Sequence, residues 1–287
     1  MRTPKVVVFD LDNCCWDPEM YQMSHGSPFT HDPSTNTCRS QHARGETVRL
    51  LGDVAEIWGF LRYNGTLREY WTHVLGRGDN LVYGQKEEPG GPPLTHINPK
   101  SRGTGTTTMS TGASNTSHHS PFLDVNFRQS GTRIAIASCC DEPDRARELL
   151  GKFRIRNVNR SSSPAGGLEQ ADPSTGTLRM SGLKRQMTEI RGGKRTKTPG
   201  TSEGETLIEQ QETMRDAVSY VQIHYGAKTQ HLSQIQKQSG EDYEDMIFFD
   251  DQSGHIRNVG NLGVVAVHTP RGGVTWAHFF QALSAFH

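Results

Sequence analysis

Two pairs of aspartates stand at the ends of apolar runs in this chain. Val-Val-Val-Phe leads into Asp10 and Asp12, and Met-Ile-Phe-Phe leads into Asp250 and Asp251. Carboxylates that meet in one crevice repel each other unless a hard cation neutralises them, and ligands that are all oxygen suit Mg²⁺. Such an ion also screens a phosphate, so that an anionic nucleophile can approach it. The two pairs therefore predict magnesium-dependent phosphoryl chemistry.

A serine and a lysine complete the set of residues that could do this chemistry. Ser138 follows the apolar run 133–137, and Lys228 precedes the second aspartate pair. A single Asp-x-Asp is often only a turn, and a single lysine usually lies on the surface. The order Asp-x-Asp, Ser, Lys, Asp-Asp is much more specific than any of its parts, so we interpret these residues as one site.

The elements that must position these residues are predicted by apolar periodicity. Continuous apolar runs, which are typical of strands covered on both faces, occur at residues 5–9, 133–137, 246–249 and 264–267. Helical spacing occurs at residues 54–61, 143–150, 229–237 and 275–286. This pattern predicts an α/β fold with a mostly parallel sheet. The strands of such a sheet end along one edge, where ligands bind.

Two long segments do not fit the alternating pattern. Residues 84–120 and 158–213 are rich in Gly, Pro, Ser and Thr and have few periodic apolar residues. We predict that both are disordered insertions in the surface loops of one domain that spans residues 1–287. They would also explain why only 33% of the residues are hydrophobic and why the mean hydropathy is −0.66.

Charge and cysteine usage bear on partners and location. Lys and Arg number 31, as do Asp and Glu, so no global basic field indicates nucleic acid as a partner. No run approaches the roughly 20 apolar residues that span a bilayer, and the N-terminal run is too short for a signal peptide. Four of the five cysteines stand in adjacent pairs, which is not the spacing of a disulfide framework. We expect a cytoplasmic protein without membrane or nucleic-acid partners.

Several of these motifs together resemble a known family. The chain is similar to the haloacid dehalogenase (HAD) superfamily, and most closely to its magnesium-dependent, acid phosphatase-like members. Trp16 and short stretches carry the resemblance, namely residues 4–12, 27–29, 134–138, 225–231, 246–251 and 262–264. The resemblance implies a three-layer α/β/α, Rossmann-like sandwich without a large cap domain. It also implies a small flap formed by residues 17–47.

The resemblance assigns the chemistry to the aspartates. Asp10 would be the nucleophile and would form an aspartyl-phosphate. Asp12 would first protonate the leaving oxygen and then activate the hydrolytic water. Mg²⁺ would be held by the side chain of Asp10, the backbone carbonyl of Asp12 and the side chain of Asp251, and Asp250 would orient these ligands.

Other residues would bind the phosphoryl group of a phosphomonoester substrate. The resemblance implies that Ser138 and the backbone of Leu11 hold phosphoryl oxygens and that Lys228 offsets their charge. Cys139 stands where the family usually has a substrate-facing Arg, so a fork for a second anionic group is lost. Phosphotyrosine-like compounds and sugar phosphates both remain possible substrates.

Two more substitutions depart from the family pattern. Cys14 replaces a Thr whose hydroxyl would form hydrogen bonds behind the acid/base residue, and thiols are weaker donors. His255 replaces an Asn near the metal site, where an imidazole could still support a bound water. Together with Cys139, Cys14 motivates an alternative, which is a catalytically weak or inactive binding module that keeps the fold.

The cysteines allow two further hypotheses. Cys139 and Arg145 have the Cys-x5-Arg spacing of cysteine-dependent phosphatases, but the acidic residues between them would repel phosphate. Separately, the pairs at Cys14 and Cys139 both follow predicted strands at the site. Their oxidation would switch the enzyme off, unless these thiols are only small buried fillers.

Overall fold

The computed structural model describes residues 2–42, 44–77, 122–160, 207–270 and 272–286. The strands are β1 (Val6–Phe9), β2 (Trp16–Asp17), β3 (Phe29–Asp32), β4 (Thr37–Ser40), β5 (Thr47–Leu50), β6 (Arg133–Ser138), β7 (Arg154–Arg160), β8 (Leu207–Thr213), β9 (Val218–Ile223), β10 (Met246–Asp250) and β11 (Val265–His268). The α-helices are α1 (Val54–Arg62), α2 (Leu67–Glu69), α3 (Pro143–Leu150), α4 (Met214–Ala217), α5 (Lys228–Ser239), α6 (Ser253–Gly260) and α7 (Trp276–Ala285). Short 3₁₀ helices cover Met20–Gln22 and Tyr243–Asp245, and a π-helical turn covers Tyr70–Val74.

The central sheet has five parallel strands in the order β11-β10-β1-β6-β9. The chain runs from β1 outward to β6 and β9 and then crosses back to β10 and β11 on the other side. The strand order therefore reverses between β1 and β10, and a crevice opens beyond their carboxyl ends. Asp10 and Asp250 stand at this reversal point.

Each face of the central sheet packs against its own helices. Because side chains alternate along a strand, Val7 and Phe9 of β1 lie in the core formed with α1 and α7, whereas Val6 and Val8 lie in the core formed with α5 and α6. All four are fully buried. The predicted α/β class and its three layers are confirmed.

A second, antiparallel sheet in the order β2-β5-β4-β3 lies at the segment that was predicted to form a flap. Its hydrogen bonds fasten it to the main domain. The Asn36 side chain binds both the backbone N–H and the carbonyl of Arg154, and Glu148 accepts a hydrogen bond from the backbone N–H of Phe29. The flap is therefore held at α3 and at β7.

Residues at both ends of the second predicted insertion form strands. Residues 158–160 belong to β7 and residues 207–213 form β8, and the two strands pair along their whole length as an antiparallel ribbon. Most residues of these strands are polar, so the sequence lacks the regular apolar alternation from which a strand is predicted. The rest of that segment and residues 84–120 lie outside the described residues.

Sequence reasoning also missed β9 and α6. Strand β9 lies at the edge of the central sheet, where alternate side chains are exposed, so it has no continuous apolar run. Helix α6 starts with Ser-Gly-His and buries only Ile256, Val259 and Gly260. No helix in the described ranges is long and apolar enough to cross a membrane.

Candidate active site

Asp10 and Lys228 form the centre of the crevice at the reversal point. Asp10 follows β1, its backbone N–H donates to the carbonyl of Phe249, and only 5% of its surface is exposed. Lys228 is the first residue of α5. Its Nζ lies 2.5 Å from Asp10 Oδ1 and 3.1 Å from Asp250 Oδ2, and it donates to the carbonyl of Ala137 at 2.7 Å. This lysine is buried and fully paired rather than a surface residue.

The positive charge of Lys228 and the negative charges of Asp10 and Asp250 stabilise one another. Burial raises the pKa of Asp10, while the Lys228 charge and the backbone N–H of Leu11 oppose that rise. Burial alone would lower the pKa of Lys228, but the charges of Asp10 and Asp250 hold that pKa above its usual value. Lys228 therefore stays positively charged at every physiological pH and offsets the charge of the carboxylates.

Asp250 is held in place by partners on three sides. Its oxygens accept from the backbone N–H of Gln252 at 2.8 Å and from His255 Nδ1, which lies 3.1 Å from both of them. Burial would raise the pKa of Asp250, but the His255 hydrogen bond and the Lys228 charge outweigh burial and lower it. His255, which replaces the family's Asn, thus contacts Asp250 directly.

Asp251 has a carboxylate oxygen without a partner. Its Oδ1 is buried and forms no hydrogen bond within the described residues. One ligand atom each from Asp10, Asp250 and Asp251 lie within 4.8 Å of one another. Burial and the charges of Asp10 and Asp250 raise the pKa of Asp251 to about 6. An all-oxygen cluster with one unsatisfied carboxylate oxygen fits a hard cation such as Mg²⁺.

The Asp12 carboxylate is held by hydrogen bonds from residues that follow it in the chain. The indole Nε1 of Trp16 donates to Asp12 Oδ1 at 2.6 Å, and the backbone N–H of Met20 donates to Oδ2 at 3.4 Å. Burial raises the pKa of Asp12 to about 6, although the Trp16 hydrogen bond acts against that rise. A carboxyl with this pKa can both give and take a proton near neutral pH.

The predicted phosphate-binding residues lie in the same pocket. Ser138 ends β6 and lines the pocket together with Cys139, Lys228 and three of the four aspartates, and the pocket has a volume of about 210 Å³. The Cys139 thiol donates to the carbonyl of Gly226 at 3.0 Å. Cys139 therefore contacts the loop before α5.

The Cys14 side chain points away from Asp12. Its Sγ is fully buried and lies 3.5 Å from the carbonyl of Phe249 and 3.5 Å from Thr269 Oγ1. The hydrogen bonds to Asp12 come from Trp16 and Met20 instead. Asn13 has a φ of 58°, and this left-handed turn directs Cys14 toward β10 rather than toward Asp12.

Thiol burial also weighs against both cysteine hypotheses. Cys14 and Cys15 are fully buried, and burial raises the pKa of Cys14 far above its usual value and that of Cys140 to about 12. Burial also raises the pKa of the half-buried Cys139. Arg145 pairs with Glu142 and does not line the pocket. Thiols held in the neutral form are poor nucleophiles and resist oxidation.

Sequence reasoning missed several residues that line the pocket, namely Asn13, Glu19, Tyr21, Asp141, Tyr225 and Gln252. Most of them stand next to residues that the motifs did identify. Glu19 and Tyr21 have no such signal, because they belong to the flap and reach the pocket only through the tertiary fold.

The chain is similar to known phosphatases. A family model described as Acid Phosphatase matches residues 2–68 and 181–287, which together exceed half of the chain. Human magnesium-dependent phosphatase 1 is 37% identical over 51 residues, a stretch that covers 18% of this chain and 29% of the human protein.

A solved structure was also found in the comparison. It is the N-terminal part of the Bacteroides fragilis protein BF1531, containing a phosphatase domain, in complex with Mg. The match covers 100% of this chain and 40% of the other, with 11% identity and a TM-score of 0.38, which is too low to establish a shared fold.

Proposed function

Because the chain belongs to the acid phosphatase family, we propose that it is a magnesium-dependent phosphomonoester hydrolase with Asp10 as its nucleophile. The observation that carries this proposal is the buried contact between Asp10 and Lys228, next to the unpartnered oxygen of Asp251. The Lys228 charge and a metal ion bound by Asp251 would both reduce the repulsion between the Asp10 carboxylate and the phosphate that it attacks.

Asp10, the backbone carbonyl of Asp12 and Asp251 would hold Mg²⁺. Asp250 is fixed by Gln252 and His255 and would orient Asp10 through Lys228, which contacts both carboxylates. The bound ion would screen the negative charge of the phosphoryl oxygens. Asp250 has both oxygens engaged by protein donors, which favours an orienting role for it.

The side chains divide the remaining steps between them. One oxygen of Asp10 forms a bond to phosphorus as the bond to the leaving oxygen breaks, which produces an aspartyl-phosphate. Asp12 gives its proton to the leaving oxygen and then takes one from the water that hydrolyses this intermediate, and a pKa of about 6 suits both steps. Lys228 and Ser138 stabilise the charge on the phosphoryl oxygens.

A binding module that keeps the fold without turnover is the alternative function. Its motivation was the substitution of two family residues by Cys14 and Cys139. Neither thiol contacts the aspartates or Lys228 through a hydrogen bond that the structure describes. A site that has lost its function also has no physical reason to keep several carboxylates together, which is costly.

The test is hydrolysis of an aryl phosphate with and without Mg²⁺ by the wild type, by Asp10→Asn and by Asp144→Asn. Asp144 is a matched control because its side chain is 99% exposed on α3. We expect Mg²⁺-dependent turnover in the wild type and in Asp144→Asn, loss of turnover in Asp10→Asn, and a phosphorylated Asp10 peptide after acid quench of the wild type.

Other outcomes would favour the competing functions. A folded wild type that binds Mg²⁺ but hydrolyses no ester would indicate the binding module. Turnover that resists EDTA and is lost in Cys139→Ala would indicate a cysteine-dependent mechanism instead. Phosphotyrosine-like compounds and sugar phosphates are the substrates to compare once turnover is measured.

A further inference from the structure

The entrance of the active-site pocket carries two exposed tyrosines. Tyr21 and Tyr225 are 60% and 90% exposed, which makes them the most exposed large apolar side chains among the described residues, and both line this pocket. They come from separate elements. Tyr21 lies in the 3₁₀ helix of the flap, and Tyr225 lies in the loop that leads to Lys228.

Two carboxylates to which no catalytic step is assigned line the same pocket. Glu19 accepts a hydrogen bond from Asn13 Nδ2 at 2.5 Å, and its charge contributes to the raised pKa of Asp12. Asp141 is exposed and lies close enough to Cys140 to help raise the pKa of that thiol. Both residues line the pocket.

No free cation balances these two carboxylates along the described lining of the pocket. Lys228 is engaged by Asp10 and Asp250, and His255 is engaged by Asp250. Position 139, where the family usually has Arg, holds a thiol that donates to the carbonyl of Gly226. A second anionic group on the substrate would therefore meet negative charge at the entrance.

We propose that the preferred substrate is a phosphomonoester whose alcohol carries a positive charge, such as an alkylammonium group, bound between Tyr21, Tyr225, Glu19 and Asp141. The faces of tyrosine rings attract cations, and the two carboxylates add direct Coulomb attraction. This inference rests on the proposed phosphatase function, and it names the class of leaving group for the same pocket.

Three esters provide the test. O-phosphocholine carries the cation. Its isostere 3,3-dimethylbutyl phosphate has a neutral tert-butyl group in place of the ammonium, and 3-phosphoglycerate carries a second anion. We expect kcat/KM for phosphocholine to exceed that for the isostere by about tenfold at low ionic strength, and to exceed that for 3-phosphoglycerate by more. The preference should shrink as salt screens the carboxylates.

Variants identify the residues responsible for the preference. The ratio of kcat/KM for phosphocholine to that for the isostere should fall several-fold in Tyr225→Leu and in Asp141→Asn. Asp144→Asn, an equally small change at an exposed acid that does not line the pocket, should leave the ratio close to its wild-type value. A ratio removes any general effect of a substitution on turnover.

Two kinds of result would overturn the inference. Turnover of the isostere or of 3-phosphoglycerate that equals or exceeds turnover of phosphocholine would refute it and leave the phosphatase function standing. A wild-type preference that survives in Tyr225→Leu and Asp141→Asn would refute the assigned residues. Failure to hydrolyse any of the esters, including the aryl phosphate, would refute the proposed function itself.

Discussion

At the residue scale, the site depends on how burial and hydrogen bonds set the protonation of each carboxylate. Asp12 and Asp250 illustrate the two directions. Burial raises the pKa of Asp12 to about 6, whereas His255 and Lys228 overcome burial at Asp250 and lower its pKa. Of these two, the carboxyl proposed to move protons has a pKa near neutrality, and the carboxyl proposed to orient others stays ionised.

Trp16 provides a test of this control at Asp12. The indole N–H stabilises the ionised form of Asp12, so Trp16→Phe should raise the pKa of Asp12 further. Protonation of a poor leaving group requires protonated Asp12, so kcat/KM for an alkyl phosphate falls as pH rises through that pKa. We expect this fall to move to higher pH in Trp16→Phe.

The measurement is the pH profile of kcat/KM for an alkyl phosphate, with an aryl phosphate as the comparison. An aryl leaving group needs less protonation, so its profile should move less between the wild type and the variant. If the descending limb for the alkyl ester stays in place or moves to lower pH, Trp16 does not stabilise ionised Asp12.

At the element scale, the helix α1 fits closely against the ribbon formed by β7 and β8. Gly59 lies in α1, and a Cβ built there would overlap the carbonyl oxygen of Arg156 and the hydroxyl of Tyr70. Tyr70 itself donates to that carbonyl at 3.0 Å. Glycine is thus required here by close approach of two elements, although it disfavours the helix as an isolated segment.

The same substitution in two helices should consequently have opposite effects. Gly59→Ala should destabilise the protein by about 1–3 kcal/mol, because overpacking outweighs the gain in helix propensity. Gly254→Ala in α6 meets nothing within 4 Å and should be neutral or stabilise by up to about 1 kcal/mol. Urea unfolding of both variants is the measurement, and a stabilised Gly59→Ala would mean that α1 can move away from β7.

At the scale of the whole molecule, stability is linked to the site through carboxylates whose pKa is raised on folding. Asp12 and Asp251 both titrate at about 6 in the folded protein, above the usual value of 3.8. At these two carboxylates the folded state binds more protons than the unfolded state between about pH 4 and pH 6, so they lower the free energy of unfolding as pH rises through this window. Burial lowers the pKa of His231 to about 4, which acts in the opposite direction over the same window.

We expect the metal-free wild type to lose stability relative to Asp251→Asn from about pH 4 to pH 6 in chelator, because the variant lacks the carboxyl whose pKa is raised on folding. Mg²⁺ should stabilise the wild type at pH 7, because the ion binds the folded state, and Asp251→Asn should abolish this effect. Urea unfolding across this pH range, with and without Mg²⁺, measures both. Equal pH dependence of the free energy of unfolding in the wild type and Asp251→Asn would show that the pKa of Asp251 is not raised on folding.

Much of this organisation was predictable from local sequence. The apolar runs located four strands of the central sheet, and the resemblance to the magnesium-dependent phosphatases is confirmed by the family match. The convergence of Asp10, Ser138, Lys228 and Asp251 followed because parallel strands end along one edge. Such features depend on the residues within one element, so apolar periodicity or a short motif is enough to predict them.

Contacts between distant segments were not predictable in this way. The direction of Cys14 depends on the positive φ of Asn13, and the pairing of β7 with β8 joins polar strands that are far apart in the chain. Likewise, Tyr21 lines the pocket from the flap, which is held by the hydrogen bond of Met20 to Asp12 and by those of Glu148 and Asn36. These features arise from packing and backbone geometry between elements, which periodicity within a single element does not encode.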